Sequence, residues 1–219
     1  DQIAAMTTAQ VQKGLSVDQV IALTSDQIVA LTTDQVTVLT TAQVSAVEAA
    51  DVAVLTTDQI AALTTAQIQK GLTAEQLVAL TTDQMMAFAT NQLVALGTAQ
   101  VAVLETDDVM ALTTDQVSAL TTAQIRNGLT LDQVAALTTD QIAAMTTAQV
   151  QKGLSVDQVI ALTSDQIVAL TTDQVTVLTT AQVSAVEAAD VAVLTTDQIA
   201  ALTTAQIQKG LTAEQLVAL

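Results

Sequence analysis

The sequence predicts an all-α superhelical solenoid of very short helices, and three observations carry that expectation. An eight- or nine-residue unit recurs 27 times along the 219 residues. Nearly every unit opens on a helix start signal and continues with apolar residues at helical spacing. Hydrophobic residues make up 51% of the chain, yet no apolar run is long, so a core can form only from small, repeated contributions.

Each unit is counted from the residue before its Gln: Asp1, Ala9, Asp18, Asp26, Asp34, Ala42, Ala50, Asp58 and onward to Glu214. The consensus is Asp/Ala–Gln–Ile/Val–x–Ala–Leu–Thr–Thr. Five long units hold nine residues and read Ala–Gln–Val/Ile–Gln–Lys–Gly–Leu, as in Ala9 to Leu15, with Arg126–Asn127–Gly128 as a variant. A higher order lies above the unit. Residues 1–80 recur unchanged as residues 140–219, a period of 139 residues or 17 units. The array is therefore one continuous domain, 1–219, made of a block 1–139 and a partial second block 140–219. The identity extends to Ser25 and Ser164 and to Glu48 and Glu187, which read as incidental surface positions. That points to block duplication rather than to preservation of a catalytic site. Because the chain opens and closes mid-unit, at Asp1 and Leu219, it is expected to be an internal piece of a longer array. No signal peptide is visible in it.

Within a unit the start signal is explicit. In Thr32–Thr33–Asp34–Gln35 the first Thr can cap a helix, and Gln three residues on can complete a capping box. Asp34 then falls in the first turn, where the helix dipole favours a negative charge. Val36 and Leu39 follow at i and i+3 on one face, as do Ile60 and Leu63, and Val117 and Leu120. These six residues are the expected core. A single continuous helix is disfavoured, since eight residues make about 2.2 turns and the apolar positions would drift around it. The reading is one helix of about five or six residues per unit, then a tight corner, stable only by stacking. A β-solenoid is the alternative: Val36–Thr41 has strand-like residues, against abundant Ala and Gln and scarce Gly at corners.

The long units are units 2, 9, 16, 19 and 26, spaced by 7, 7, 3 and 7. About 3.4 units per superhelical turn, or roughly 28 residues, would set them all on one face, given helix-width spacing between turns. All five basic residues, Lys13, Lys70, Arg126, Lys152 and Lys209, lie in these units. Each stands at or just before a corner glycine: Gly14, Gly71, Gly128, Gly153 or Gly210. One reading is a cation at the negative end of the helix dipole followed by Gly in a left-handed cap. The other, compatible with it, is a lateral basic stripe that meets the acidic surface of another copy.

The remaining chemistry is sparse. Formal net charge is −17, which disfavours nucleic acid because nothing could neutralise phosphates. Cys and His are absent, removing thiol, imidazole and soft-metal chemistry. No apolar run approaches the length of a membrane span. The recurring Asp suits helix starts and solubility; calcium held between turns is the competing role, so no cofactor is expected unless calcium is one. Paired Thr reads as cap and corner, or as an ordered surface array. Gln either completes capping boxes or also forms ladders between turns. Met6, Met85, Met145 and Phe88 occupy core positions. Near-identical repeated environments cannot supply the two unlike carboxylates that acid–base catalysis needs, so no catalytic residue is expected.

The phrases Leu-Thr-Thr-Asp-Gln-Ile-Ala-Ala-Leu and Leu-Thr-Thr-Ala-Gln resemble repeat tracts of very large bacterial surface or secreted proteins of the exoprotein and adhesin type. The resemblance covers the whole chain and implies an extracellular, self-supporting filament or stalk; taken with the basic stripe, the expected function is a filament, stalk or surface appendage that stacks and self-associates. A calcium-dependent or surface-binding adhesin segment is the alternative. Leu31-Thr-Thr-Asp-Gln-Val36 is also similar to the start of transcription-activator-like effector repeats, but those are about four times longer and basic. Unit length and charge exclude that role here.

Overall fold

The computed structural model describes residues 2–219; Asp1 lies outside the described residues. Among the described residues there is no strand, and short helices of four to seven residues follow one another from Gln10 to Ala218. The α-solenoid expectation holds and the β-solenoid alternative falls. The chain divides into two compact halves, Asp1–Leu112 and Thr113–Leu219.

The helix Thr33–Val38 shows how the unit works. Thr32 Oγ1 accepts from the Gln35 backbone N–H at 3.2 Å, and Gln35 Oε1 accepts from the Thr32 N–H at 2.8 Å. Two donors that a helix start leaves unsatisfied are thus paired reciprocally. The helix ends when the Leu39 N–H bonds back to the Val36 carbonyl at 3.2 Å and Leu39 turns extended, at φ −54° and ψ 135°. The next cap, Thr40, begins at once.

Val36, Leu39, Ile60, Leu63, Val117 and Leu120 are all buried, as are Met85, Phe88 and Met145, while Met6 is half-buried. Packing is between turns. Thr33–Val38 lies on Thr57–Ala62, the helix three units on. Gln67 instead reaches four units back: its Nε2 donates to the Val36 and Leu39 carbonyls, each at 2.8 Å. A turn therefore holds between three and four units, the interval that contains the expected 3.4. Bonds from Gln span 28 to 33 residues along the chain. The axis is filled by side chains. The gaps there are about 30 Å³ and 20 Å³, bounded by residues such as Leu154, Ile167 and Val183 in one half and Ile28, Val36 and Val44 in the other. Such apolar gaps have room for little more than one water and none for a ligand.

Candidate functional site: the turn-to-turn glutamine ladder and the basic stripe

Glutamine has two tasks that use opposite ends of one amide. Its Oε1 closes the capping box, and its Nε2 donates to carbonyls at the end of the helix four units earlier. Gln43 reaches Val11 and Leu15, Gln59 reaches Ile28 and Leu31, Gln149 reaches Val117 and Leu120, and Gln215 reaches Val183 and Val186. The Ile28, Val117 and Val183 carbonyls already accept the N–H that closes their helix and take the amide as a second donor, whereas the Leu31, Leu120 and Val186 carbonyls lie just past the helix end and take the amide as theirs. The amide is buried because every one of its polar atoms is paired. Where the cap residue is Ala89 or Gly97, only the Gln half of the box remains, with Oε1 accepting from the backbone N–H at 2.8 and 2.9 Å.

Three units carry Asp in place of this Gln: Asp51, Asp108 and Asp190. All three have Glu at the cap (Glu48, Glu105 and Glu187), and none of these Glu side chains makes a cap hydrogen bond. Aspartate is one methylene shorter and offers no amide donor, so the cross-turn bonds are lost. Asp51 and Asp190 find another partner: Ser25 and Ser164 each donate an Oγ–H to the Asp Oδ1 at 2.5 Å. These serines, and the glutamates that accompany the Asp units, are therefore parts of one local arrangement rather than incidental positions. Asp51 is buried and Asp190 half-buried, which also corrects the expectation that every Asp lies on a solvated face.

Asp108 has no serine partner. The residue 26 positions earlier is Thr82, and Asp108 Oδ2 is buried without any hydrogen bond. Burial pushes its carboxyl up to about 6, and the Glu105 and Asp107 charges add to the rise, against a backbone hydrogen bond from Glu105. The register that takes Gln100 to Ile68 and Leu72 sets Asp108 opposite Leu77 and Leu80.

The long units absorb their extra residue by widening the last turn. Leu15, Leu72, Leu129, Leu154 and Leu211 bond back five residues, to Gln10, Gln67, Gln124, Gln149 and Gln206, where other units close over three. Among the described residues no glycine has a positive φ, so the left-handed cap is not formed; Gly128 and Gly210 lie at φ −102° and −96°. The glycines permit close approach instead. A Cβ on Gly71 would lie 3.1 Å from Val44, one on Gly153 3.3 Å from Ile125, and one on Gly210 3.1 Å from Val183. Each of these neighbours belongs to the helix three units before. Lys13, Lys70, Arg126, Lys152 and Lys209 are all exposed in the last turn, where a cation complements the dipole.

A further periodicity escaped the reading of the long units alone. Thr-Ala-Gln occurs in eight units, 2, 6, 9, 13, 16, 19, 23 and 26, which are separated by 4, 3, 4, 3, 3, 4 and 3 units. Seven intervals cover 24 units, about 3.4 each, so the motif comes round once per turn. Within each half, contacts join these units edge to edge. In the first half, Gln43 bonds unit 6 to unit 2, Gly71 seats unit 9 on unit 6, and Gln100 bonds unit 13 to unit 9. In the second half, Gly153 seats unit 19 on unit 16, Gln182 bonds unit 23 to unit 19, and Gly210 seats unit 26 on unit 23. Arg126 also donates across the same seam to the Lys152 carbonyl at 3.3 Å. From cap residue to closing Leu or Val, none of the eight units contains an Asp or Glu, and together they contain every Lys and Arg. The signal was legible in the sequence as the alternation of Ala with Asp before Gln.

Among the described residues, no group of three or more acidic side chains is placed to hold a metal ion, and no helix is long and apolar enough to cross a membrane. No curated protein matches the chain. A model of the ALTTAQ repeat matches residues 13–41, 82–114, 101–139, 114–147 and 139–172, together more than half of the sequence. Its core phrase is the acid-free unit that recurs once per turn here. The chain belongs to the ALTTAQ repeat family.

Proposed function

We propose that this chain is a non-enzymatic structural segment: a self-supporting solenoid of an extracellular filament, stalk or surface appendage that associates with copies of itself through its basic stripe. The observation that carries the reading is the partition of charge. In each half the cations stand on an acid-free stripe, and all 22 Asp and Glu lie outside the cap-to-closing-residue spans that make it up. Such a division is costly to no fold requirement and useful for orienting like molecules side by side. The filled axis and the glutamine ladder that ties successive turns together suit a mechanical role.

Electron cryo-microscopy of the purified chain at low and at physiological salt tests this. Lateral assemblies or filaments that loosen as salt rises are expected. Dispersed single particles under both conditions contradict self-association. Assembly or surface binding that appears only with added calcium moves the function to an adhesin segment.

A further inference from the structure

The basic stripe has a counterpart on the same molecule. In the first half, Ser25 links unit 4 to unit 7 through Asp51, and Gln84 links unit 11 to unit 7 through the Val52 and Leu55 carbonyls. The helix Ala49–Val52 of unit 7 packs on Ala74–Val78 of unit 10, and Thr82–Met86 of unit 11 on Thr106–Ala111 of unit 14. These units form a second continuous stripe. It carries Asp26, Glu48, Glu75, Asp83, Glu105 and Asp107, all exposed, beside the exposed apolar side chains of Val29, Val54 and Val78. In the second half, Ser164 joins unit 21 to unit 24 in the same way, bringing Asp165 and Glu187 beside exposed Val168 and Val193. Unit 7 precedes the basic unit 9 by two units, which at about 3.4 per turn is more than half a turn. The acidic stripe therefore faces away from the basic one.

The two stripes also share a period. Lys13 and Lys70 are 57 residues apart, and so are Asp51 and Asp108, whose units carry Glu48 and Glu105. Within the first half both spacings are seven units, two turns of the solenoid. We propose that the acidic, valine-bearing stripe is the docking face for the basic stripe of a second copy, giving head-to-tail lateral association. This rests on the self-association reading above and adds its second surface. The charges are opposite in sign and equal in repeat, so one register satisfies successive contacts. The aliphatic stems of Lys70 and its neighbour Gln69 can cover the exposed valines while the ammonium reaches Glu48 or Glu105. A heterologous contact of this kind leaves the pair with one free stripe of each sign, so it continues from copy to copy.

The test is complementation by sedimentation velocity, with circular dichroism as a check on folding. One variant carries Lys13→Glu, Lys70→Glu, Arg126→Glu, Lys152→Glu and Lys209→Glu. The other carries Glu48→Lys, Glu105→Lys, Asp107→Lys and Glu187→Lys, with the Glu→Gln and Asp→Asn set as a milder form should the Lys set lose helicity. Wild type should associate, each variant alone should associate at least tenfold more weakly, and an equimolar mixture of the two should regain wild-type assembly. If the basic variant is weakened but the acidic set behaves as wild type, the docking face lies elsewhere and only this inference fails. If wild type stays monomeric, or the basic variant assembles unchanged, the self-association reading fails with it. Binding of wild type to anionic vesicles without self-association would also overturn the proposal.

Discussion

Residues 1–80 and 140–219 are the same sequence in two settings, and the differences between them isolate what neighbours contribute. Gln10 and Gln149 both close a capping box, on Thr7 at 2.8 Å and on Thr146 at 2.7 Å. Gln149 is buried and donates to Val117 and Leu120 in the turn before it, whereas Gln10 is exposed and makes only the cap. Gly153 is buried against Ile125, while Gly14 has nothing but its own Gln10 within reach of a Cβ. At the other end the contrast reverses. Gln76 and Gln215 are equally buried with matching bonds, but Leu77 is fully buried and its twin Leu216 is 51% exposed. Capping is thus written within the unit, polar pairing comes from the turn before, and apolar burial needs the turn after. This is the nearest-neighbour energetics of a quasi-one-dimensional fold.

The twin positions allow each contribution to be broken separately. The largest contrast is expected at the core. Leu77→Ala should destabilise its half by about 2–5 kcal/mol, and Leu216→Ala by well under about 1 kcal/mol, measured by urea denaturation. Comparable losses would mean that burial does not come from the following turn. Next is the ladder. Gln149→Ala removes half of a capping box and takes the amide donor from the buried Leu120 carbonyl, so a loss of about 2–3 kcal/mol is expected, against about 1 kcal/mol for Gln10→Ala.

Asp108 sharpens the same comparison by natural substitution. Its carboxyl is raised to about 6 in the fold from an ordinary value of 3.8, so the folded chain binds the proton more tightly than the unfolded one. Its protonated form therefore favours folding at acid pH, and that contribution is lost as pH rises from about 4 to about 6. Asp108→Gln should abolish this slope relative to wild type and, by restoring the donor, stabilise the chain at pH 7 by about 1–2 kcal/mol. Parallel pH profiles for the two proteins would show that Asp108 is not the titrating group. The glycine twins give a further contrast. Gly153→Ala should cost about 1–3 kcal/mol through contact with Ile125, while Gly14→Ala should be neutral or stabilising by up to about 1 kcal/mol. Equal melting temperatures would remove the close-approach account of the long-unit glycine.

Local features were legible in the sequence because their partners are close along the chain. Thr32 and Gln35 announce a capping box, Val36 and Leu39 announce a buried face, and the spacing of the long units announces the size of a turn. The sequence leaves the second task of glutamine open beside simple capping, since the carbonyls that Gln67 reaches lie about one turn earlier at Val36 and Leu39. The Lys-Gly-Leu string has the form of a left-handed cap at Gly71. The wider five-residue closure to Gln67 and the approach of Val44 are tertiary facts that the local string does not contain. Ser25 passed as incidental for the same reason: its partner, Asp51, is 26 residues away.

Beyond the first turn, the side-chain amide of each Gln unit binds its turn to the one before it. Exchange of the Gln Nε2 protons, followed by NMR on the intact chain, tests it most directly. Gln149 should exchange slowly, as its neighbouring core amides do, and Gln10 at nearly the rate of a free side chain. Equal, fast exchange at both would contradict the ladder and leave glutamine with capping alone.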